Sequence, residues 1–146
     1  MGWSGPAARR SASLGLMIIP SALWHEIVDH AVADAPDECC GMIASSGGRA
    51  VAVHRAVNAA ASPLRYEIDG LEQLRIQTEI EDAGLDLGAI YHSHTRSDPY
   101  PSQTDINLAF YPESLYVIVG VAKDEPDVRA FRIVDQKVQE VALQVE

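Results

Sequence analysis

The pair His92 and His94, separated by one serine at the end of a β-prone run from Leu87 to Tyr91, constrains this chain more than any other feature. In an extended segment residues i and i+2 share a face, so both imidazoles reach one metal ion, whereas on a helix they would diverge. The chain then passes into Thr95-Arg96-Ser97-Asp98-Pro99-Tyr100-Pro101, whose prolines preclude regular structure, and Ser102 restarts a helix. Asp105 falls in the first turn of that helix, at the spacing from Ser102 of a capping box, where the helix N-terminus favours a carboxylate. One short loop therefore returns a third metal-ligating side chain to the two histidines. Two imidazoles and one carboxylate are the set that catalytic zinc uses, with a fourth position left for water; a structural zinc would be closed by four protein ligands.

Length decides which scaffold can carry such a set. At 146 residues the chain is too short for an eight-fold α/β barrel, which needs roughly 200 residues. A barrel-type amidohydrolase with the same His-x-His pair is thereby excluded. With 47% hydrophobic and 22% charged residues, one globular domain is expected, over residues 13–146, behind a loose Gly-, Ala- and Arg-rich tail over residues 1–12. A formal charge of −10 repels phosphate backbones and anionic lipid, so neither nucleic acid nor a membrane surface is an expected partner. Cys39 and Cys40 are adjacent and offer no disulfide framework. Pro20 stops the apolar run from Leu14 to Ile19 too early for a secretory signal, and Pro6 spoils a myristoylation motif at Gly2. A cytoplasmic protein is expected.

Helical and extended patterns alternate along the chain. Leu14 to Ile19 predicts a short strand. Ser21 is placed to cap a helix that pairs Leu23 with Ile27 and Ala31, and Trp24 with Val28 and Val32, and that ends at Pro36. Glu38 to Ala44 and the run around Val51, Val53 and Val57 flank the turn cluster Ser45 to Gly48 as a hairpin would. A brief extended piece, Tyr66 to Ile68, precedes a helix capped by Asp69 that runs to about Asp82 and stops at Gly84. Runs from Leu115 to Val121 and Val128 to Val134 predict two more strands, and Val138 to Val145 an edge strand. The sum is an α/β chain with a mixed sheet flanked by two or three helices.

Taken singly, the fragments have ordinary readings: Ser-x-x-Asp is a common helix cap, and histidines often face solvent. Their joint pattern, His-Ser-His, seven residues, Ser-x-x-Asp, is far more restrictive. At these residues the chain resembles the JAMM metalloprotease motif of MPN domains, in which a Glu precedes His-x-His, seven residues and Ser-x-x-Asp. Glu38, followed by Cys40 and Gly41, is similar to the family's Glu-containing segment, and the order of elements from Leu16 to Val134 is compatible with that fold.

The resemblance implies a curved mixed β-sheet flanked by helices, a cytidine-deaminase-like arrangement. It further implies one zinc per chain held by His92, His94 and Asp105. Spacing alone leaves Glu38, Asp98 and Glu81 open as the acid–base group; the resemblance selects Glu38 to take a proton from the attacking water and pass it to the leaving amine. It assigns Ser102 to stabilising the tetrahedral oxyanion. The stretches Ile90 to Thr95 and Tyr100 to Asp105 are most similar to the small bacterial members that act on ubiquitin-like sulfur-carrier proteins. The activity so implied is hydrolysis after a carrier's C-terminal Gly-Gly, releasing cysteine from a carrier–cysteine adduct. Trimming of a carrier precursor and a non-catalytic scaffold are the alternatives.

Other residues receive plainer expectations. His25 and His30 lie on the polar side of the first helix, and His54 sits in a strand; each is read as solvated or packed. Cys39 and Cys40 are read as small buried hydrophobes and Trp24 as core. Trp3 belongs to the tail. Glu79, Glu81 and Asp82 form a solvated helix face, and Tyr100, between two prolines, is a candidate substrate contact.

Overall fold

The computed structural model describes residues 15–146, so the expectations for the tail, for the domain start at Ser13, for Leu14 and for Trp3 lie outside the described residues. The elements are β1 (Leu16–Ile19), α1 (Ser21–Asp34), β2 (Cys40–Ser46), β3 (Arg49–Ala56), α2 (Gly70–Asp82), β4 (Asp86–His94), α3 (Gln103–Asn107), β5 (Leu115–Gly120), β6 (Asp127–Val134) and β7 (Lys137–Val145). The mixed sheet runs β1-β3-β2-β4-β5-β6-β7 and closes when β7 returns to β1. The β2–β3, β2–β4, β5–β6 and β6–β7 pairs are antiparallel, and β4–β5 and β1–β7 are parallel. Gly47 and Gly48, both with positive φ, make the two-residue turn of the β2–β3 hairpin, a backbone shape that matches the strands' twist and that side chains resist.

Alternation along the strands gives the sheet two apolar faces. One, with Ile43, Ala89, Tyr91, Val117 and Val119, packs on Ile27, Val28 and Ala31 of α1. The other packs Met42 and Ala44 on Ile76 and Ile80 of α2, and Ile90, Ile118 and Phe131 near Tyr66 and Ile106. Each isoleucine fully buried in this way contributes about 1.5–3 kcal/mol. Ile90 belongs to the second face, so the same alternation carries His92 and His94 to that side, where α3 follows. Asp69 caps α2 by accepting from the N–H groups of Leu71 and Glu72, and Gly84, at φ +74°, ends it, as the sequence predicts.

Two expectations are corrected and a third is narrowed. Val138 to Val145 is no edge strand: β7 pairs with β6 on one side and with β1, from Leu16↔Ala142 to Ile19↔Val145, on the other. β1 is only four residues long, but it covers backbone groups that an edge would leave unpaired. Ser21 is not the cap of α1; Pro20 holds that position, no side chain caps the end, and the Ser21 N–H donates instead to the Glu146 carbonyl at 2.6 Å. His30, placed on the polar side of α1 by the helical pattern, does not face solvent and is, of its two readings, the packed one. It is 5% exposed, with Nδ1 2.7 Å from the Tyr91 hydroxyl and Nε2 3.3 Å from Asp34, because the curled sheet buries more of α1 than one flat face would.

Gly41 lies where the second strand meets Tyr91. A Cβ there would overlap the Tyr91 ring and stand 2.6 Å from the His54 carbonyl oxygen, which belongs to the backbone of the paired strand. Gly41→Ala is expected to destabilise the protein by about 1–3 kcal/mol through overpacking. Chemical denaturation reads this as a lower midpoint; an unchanged midpoint would show that Tyr91 can move aside freely.

Candidate metal centre

Cys40 stands opposite His92 in the β2–β4 ladder. The pairing extends one residue further, with the Ser93 N–H donating to the Cys39 carbonyl at 3.2 Å and the Cys39 N–H donating to Ser93 Oγ at 2.8 Å. Ser93, on the face opposite its two neighbours, thus stitches the ends of the strands together. Glu38 comes two residues before β2, close enough to His94 and Asp105 for their charges to act on its carboxyl. From the other side α3 begins with a complete capping box: Ser102 Oγ accepts from the Asp105 N–H at 3.1 Å, and the Ser102 N–H donates to Asp105 Oδ2 at 2.9 Å. Thr95 Oγ1 donates to the Pro36 carbonyl at 2.8 Å, holding the segment before Glu38 against the end of β4.

These elements bring three ligating atoms together. His92 Nε2 lies 3.2 Å from His94 Nε2 and 3.2 Å from Asp105 Oδ2, and His94 Nε2 lies 3.1 Å from the same oxygen. Ligands about 2.0–2.1 Å from a tetrahedral zinc are about 3.3–3.4 Å apart, so this near-equilateral triangle fits one face of the tetrahedron and leaves one vertex to other ligands. His92, His94 and Asp105 are the one group of this kind among the described residues.

The two imidazoles are oriented by different means. With His94 Nδ1 2.8 Å from the Asp98 carbonyl, a proton on Nδ1 donates to that oxygen and leaves the Nε2 lone pair toward the triangle. His92 Nδ1 is buried with no hydrogen-bond partner, and its ring is instead stacked on Tyr66, centroids 4.5 Å apart and planes 21° apart.

Electrostatics follow the same geometry. Burial pushes the Asp105 carboxyl upward, but hydrogen bonds from both histidines, the charge of His92 and the Ser102 N–H together outweigh it and hold the group well below the usual carboxylate range. Burial lowers His92. For His94 burial also pulls downward, yet the Asp105 carboxylate and the Asp98 carbonyl raise it overall. Glu38 is 4% exposed and its Oε1 has no hydrogen-bond partner. Burial raises its carboxyl to about 8, with His94 opposing and Asp105 assisting, which places proton exchange near neutral pH.

His92, His94, Asp105, Ser102 and Glu38 are therefore gathered at one place. Tyr100 is 57% exposed, and its ring contact is with Phe131, edge-on at 5.4 Å, not with the triangle. Cys39 and Cys40 are fully buried, and burial pushes both thiols up to about 12, consistent with packing. His25 Nδ1 bonds the Ser21 carbonyl in solvent, and His54 sits beside Glu79. Sequence reasoning passed over Ser93, Tyr66, the Asp98 carbonyl and Asn58, whose side chain donates to the Glu38 carbonyl at 2.9 Å. For Ser93 the strand alternation was a usable signal; for the others the contacts are made across loops.

The chain is similar to known proteins over most of its length. Residues 20–134 match the family described as prokaryotic homologs of the JAB domain. The chain is 37% identical over 139 residues to the CysO-cysteine peptidase of Mycobacterium tuberculosis, covering 93% of this chain and 95% of that protein. It is 38% identical over 132 residues to a probable TtuB-protein conjugate cleaving protease of Thermus thermophilus, covering 89% and 83%. Among solved structures, a Desulfitobacterium hafniense protein superposes with a TM-score of 0.80 at 27% identity, covering 89% of this chain and 93% of its own.

The triangle makes metal content the direct check. The purified protein is expected to carry about one zinc per chain by elemental analysis, and His92→Ala to lose nearly all of it, since three ligands leave little redundancy. Full metal content in His92→Ala would separate that side chain from the ion.

Proposed function

The chain belongs to the prokaryotic JAB family and is a hydrolase of the JAMM/MPN type, and from that membership we propose that it cleaves the amide after the C-terminal Gly-Gly of a ubiquitin-like sulfur-carrier protein, releasing cysteine from a carrier–cysteine adduct. The observation that carries the reading is the His92–His94–Asp105 triangle with the buried Glu38 carboxyl beside it. The likeness to a CysO-cysteine peptidase over nearly the whole of both chains supports the choice of leaving group.

When bound, zinc supplies Lewis acidity for the scissile carbonyl and for the attacking water. His92, His94 and Asp105 would hold it, with Asp105 anchored by the first turn of α3 and His94 by the Asp98 carbonyl. Glu38 accepts the water's proton and returns it to the leaving amine; a carboxyl raised to about 8 exchanges that proton readily at neutral pH. Ser102 Oγ already accepts from the Asp105 N–H, so its own hydrogen is free to be donated to the oxyanion as the carbonyl becomes tetrahedral. A glycine tail suits the approach, since its missing side chains let the backbone come close to the triangle. Tyr100, exposed on the loop between the histidines and Ser102, is read as a contact for the carrier or its tail. No described helix is long and apolar enough to cross a membrane.

A second reading, removal of a carrier from protein conjugates, is favoured by the similarity to the Thermus thermophilus protease. It uses the same residues and differs only in the leaving group. Incubating the protein with carrier–cysteine, an extended carrier precursor and a carrier–lysine isopeptide, then weighing the products, separates these readings; release of cysteine at the highest kcat/KM is expected. Glu38→Gln is expected to keep its zinc while losing on the order of 10²–10⁴ in kcat. A Glu38→Gln protein at full activity would remove the proton-transfer role.

A further inference from the structure

Asn58 belongs to neither the ligating set nor the acid–base pair, yet its side chain is bonded to main-chain groups from three directions. Nδ2 donates to the Glu38 carbonyl at 2.9 Å and the Arg65 carbonyl at 3.1 Å, with the Ser62 carbonyl at 3.5 Å. Oδ1 accepts from the N–H groups of Ala60 at 3.0 Å and Glu67 at 3.1 Å. The backbone reinforces the same closure: Asn58 bridges to Ile68, the Ala59 N–H donates to the Glu67 carbonyl at 2.8 Å, and the Glu38 N–H donates to the Ser62 carbonyl at 2.9 Å.

This clasp joins two parts of the site. On one side it holds the main chain at Glu38, whose Oε1 has no hydrogen bond of its own to fix it. On the other it closes residues 58–68 into a loop that delivers Tyr66 onto the His92 ring. His92 Nδ1 has no partner, so the stacked tyrosine takes the orienting place that the Asp98 carbonyl fills for His94. We propose that Asn58 is a positioning residue, one amide that sets both the placement of the Glu38 carboxyl and the orientation of the His92 imidazole. The Glu38 half rests on the hydrolase reading above; the His92 half does not.

The choice of asparagine follows from chemistry. The clasp needs donors toward the Glu38 and Arg65 carbonyls and an acceptor toward two N–H groups, and an amide offers both on one rigid plane. Aspartate would keep the acceptor and turn the donor edge into an oxygen facing carbonyl oxygens.

Wild type, Asn58→Asp, Asn58→Ala and Asp69→Ala are compared by thermal melting, by zinc affinity in chelator competition, and by kcat and KM on a carrier–cysteine conjugate. Asp69→Ala removes the cap of α2 at the far end of the same loop and controls for local destabilisation alone. It is expected to lower the melting temperature with zinc affinity and kcat within about twofold of wild type. Both Asn58 variants are expected to weaken zinc binding and lower kcat by about 10–100-fold each, with KM little changed, as outer partners of metal ligands do. Zinc affinity and kcat in the Asn58 variants equal to those of Asp69→Ala would overturn the proposal, and Asn58→Asp keeps the test open should Asn58→Ala not fold. If the wild type cleaves no carrier conjugate, the carrier-cleaving reading fails by itself, and the zinc affinities alone uphold or overturn the role of Asn58.

Discussion

Asp105 Oδ2 is the atom on which the site depends. It accepts from the Ser102 N–H while standing 3.1–3.2 Å from both histidine Nε2 atoms, so one oxygen joins the start of α3 to the end of β4. The capping box that begins the helix and the assembly of the triangle are one arrangement. That is why a helix of only five residues, too short to be stable alone, has a defined beginning. A carboxylate at this point is favoured three times over, by the Ser102 N–H, by the helix N-terminus and by two imidazoles that a cation would further organise.

The sheet supplies rigidity where the site needs it. β4 is central, paired antiparallel with β2 and parallel with β5, so the histidines project from a strand that is held on both sides. Ser93 and Tyr91, facing the other way, are tied to Cys39 and His30. Two buried polar atoms with no hydrogen-bond partner among the described residues, Glu38 Oε1 and His92 Nδ1, sit at or beside the triangle. Buried polar groups are normally satisfied, so two such atoms beside the triangle mark where local stability yields to chemistry.

Much of the site was legible because its parts are local. The i, i+2 rule places His92 and His94 on one face without knowledge of any other strand, and the Ser102-x-x-Asp105 spacing announces a cap whatever the helix packs against. Asp69 and Gly84 punctuate α2 for the same reason. Illegible features depend on distant partners. Ser21 looks like a cap until Glu146 takes its N–H, and His30 reads equally as solvated or packed until Tyr91 arrives from 61 residues away. β7 reads as an edge because nothing near it in the chain foretells β1 beside it. The linkage from Asn58 through Tyr66 to His92 crosses a loop whose sequence advertises only turns.

By itself the sequence determined the identities and spacing of the three candidate ligands, the strand and helix that present them, and the exclusion of a barrel too large for 146 residues. These follow from backbone periodicity and chain length, which act over a few residues or over the whole sum. Only the tertiary structure decided that the three ligating atoms meet within about 3 Å, that Glu38 lies beside them with its carboxyl lifted toward neutrality by burial, and that the sheet closes. Those outcomes depend on which segments exclude water from one another, and desolvation belongs to the packed whole.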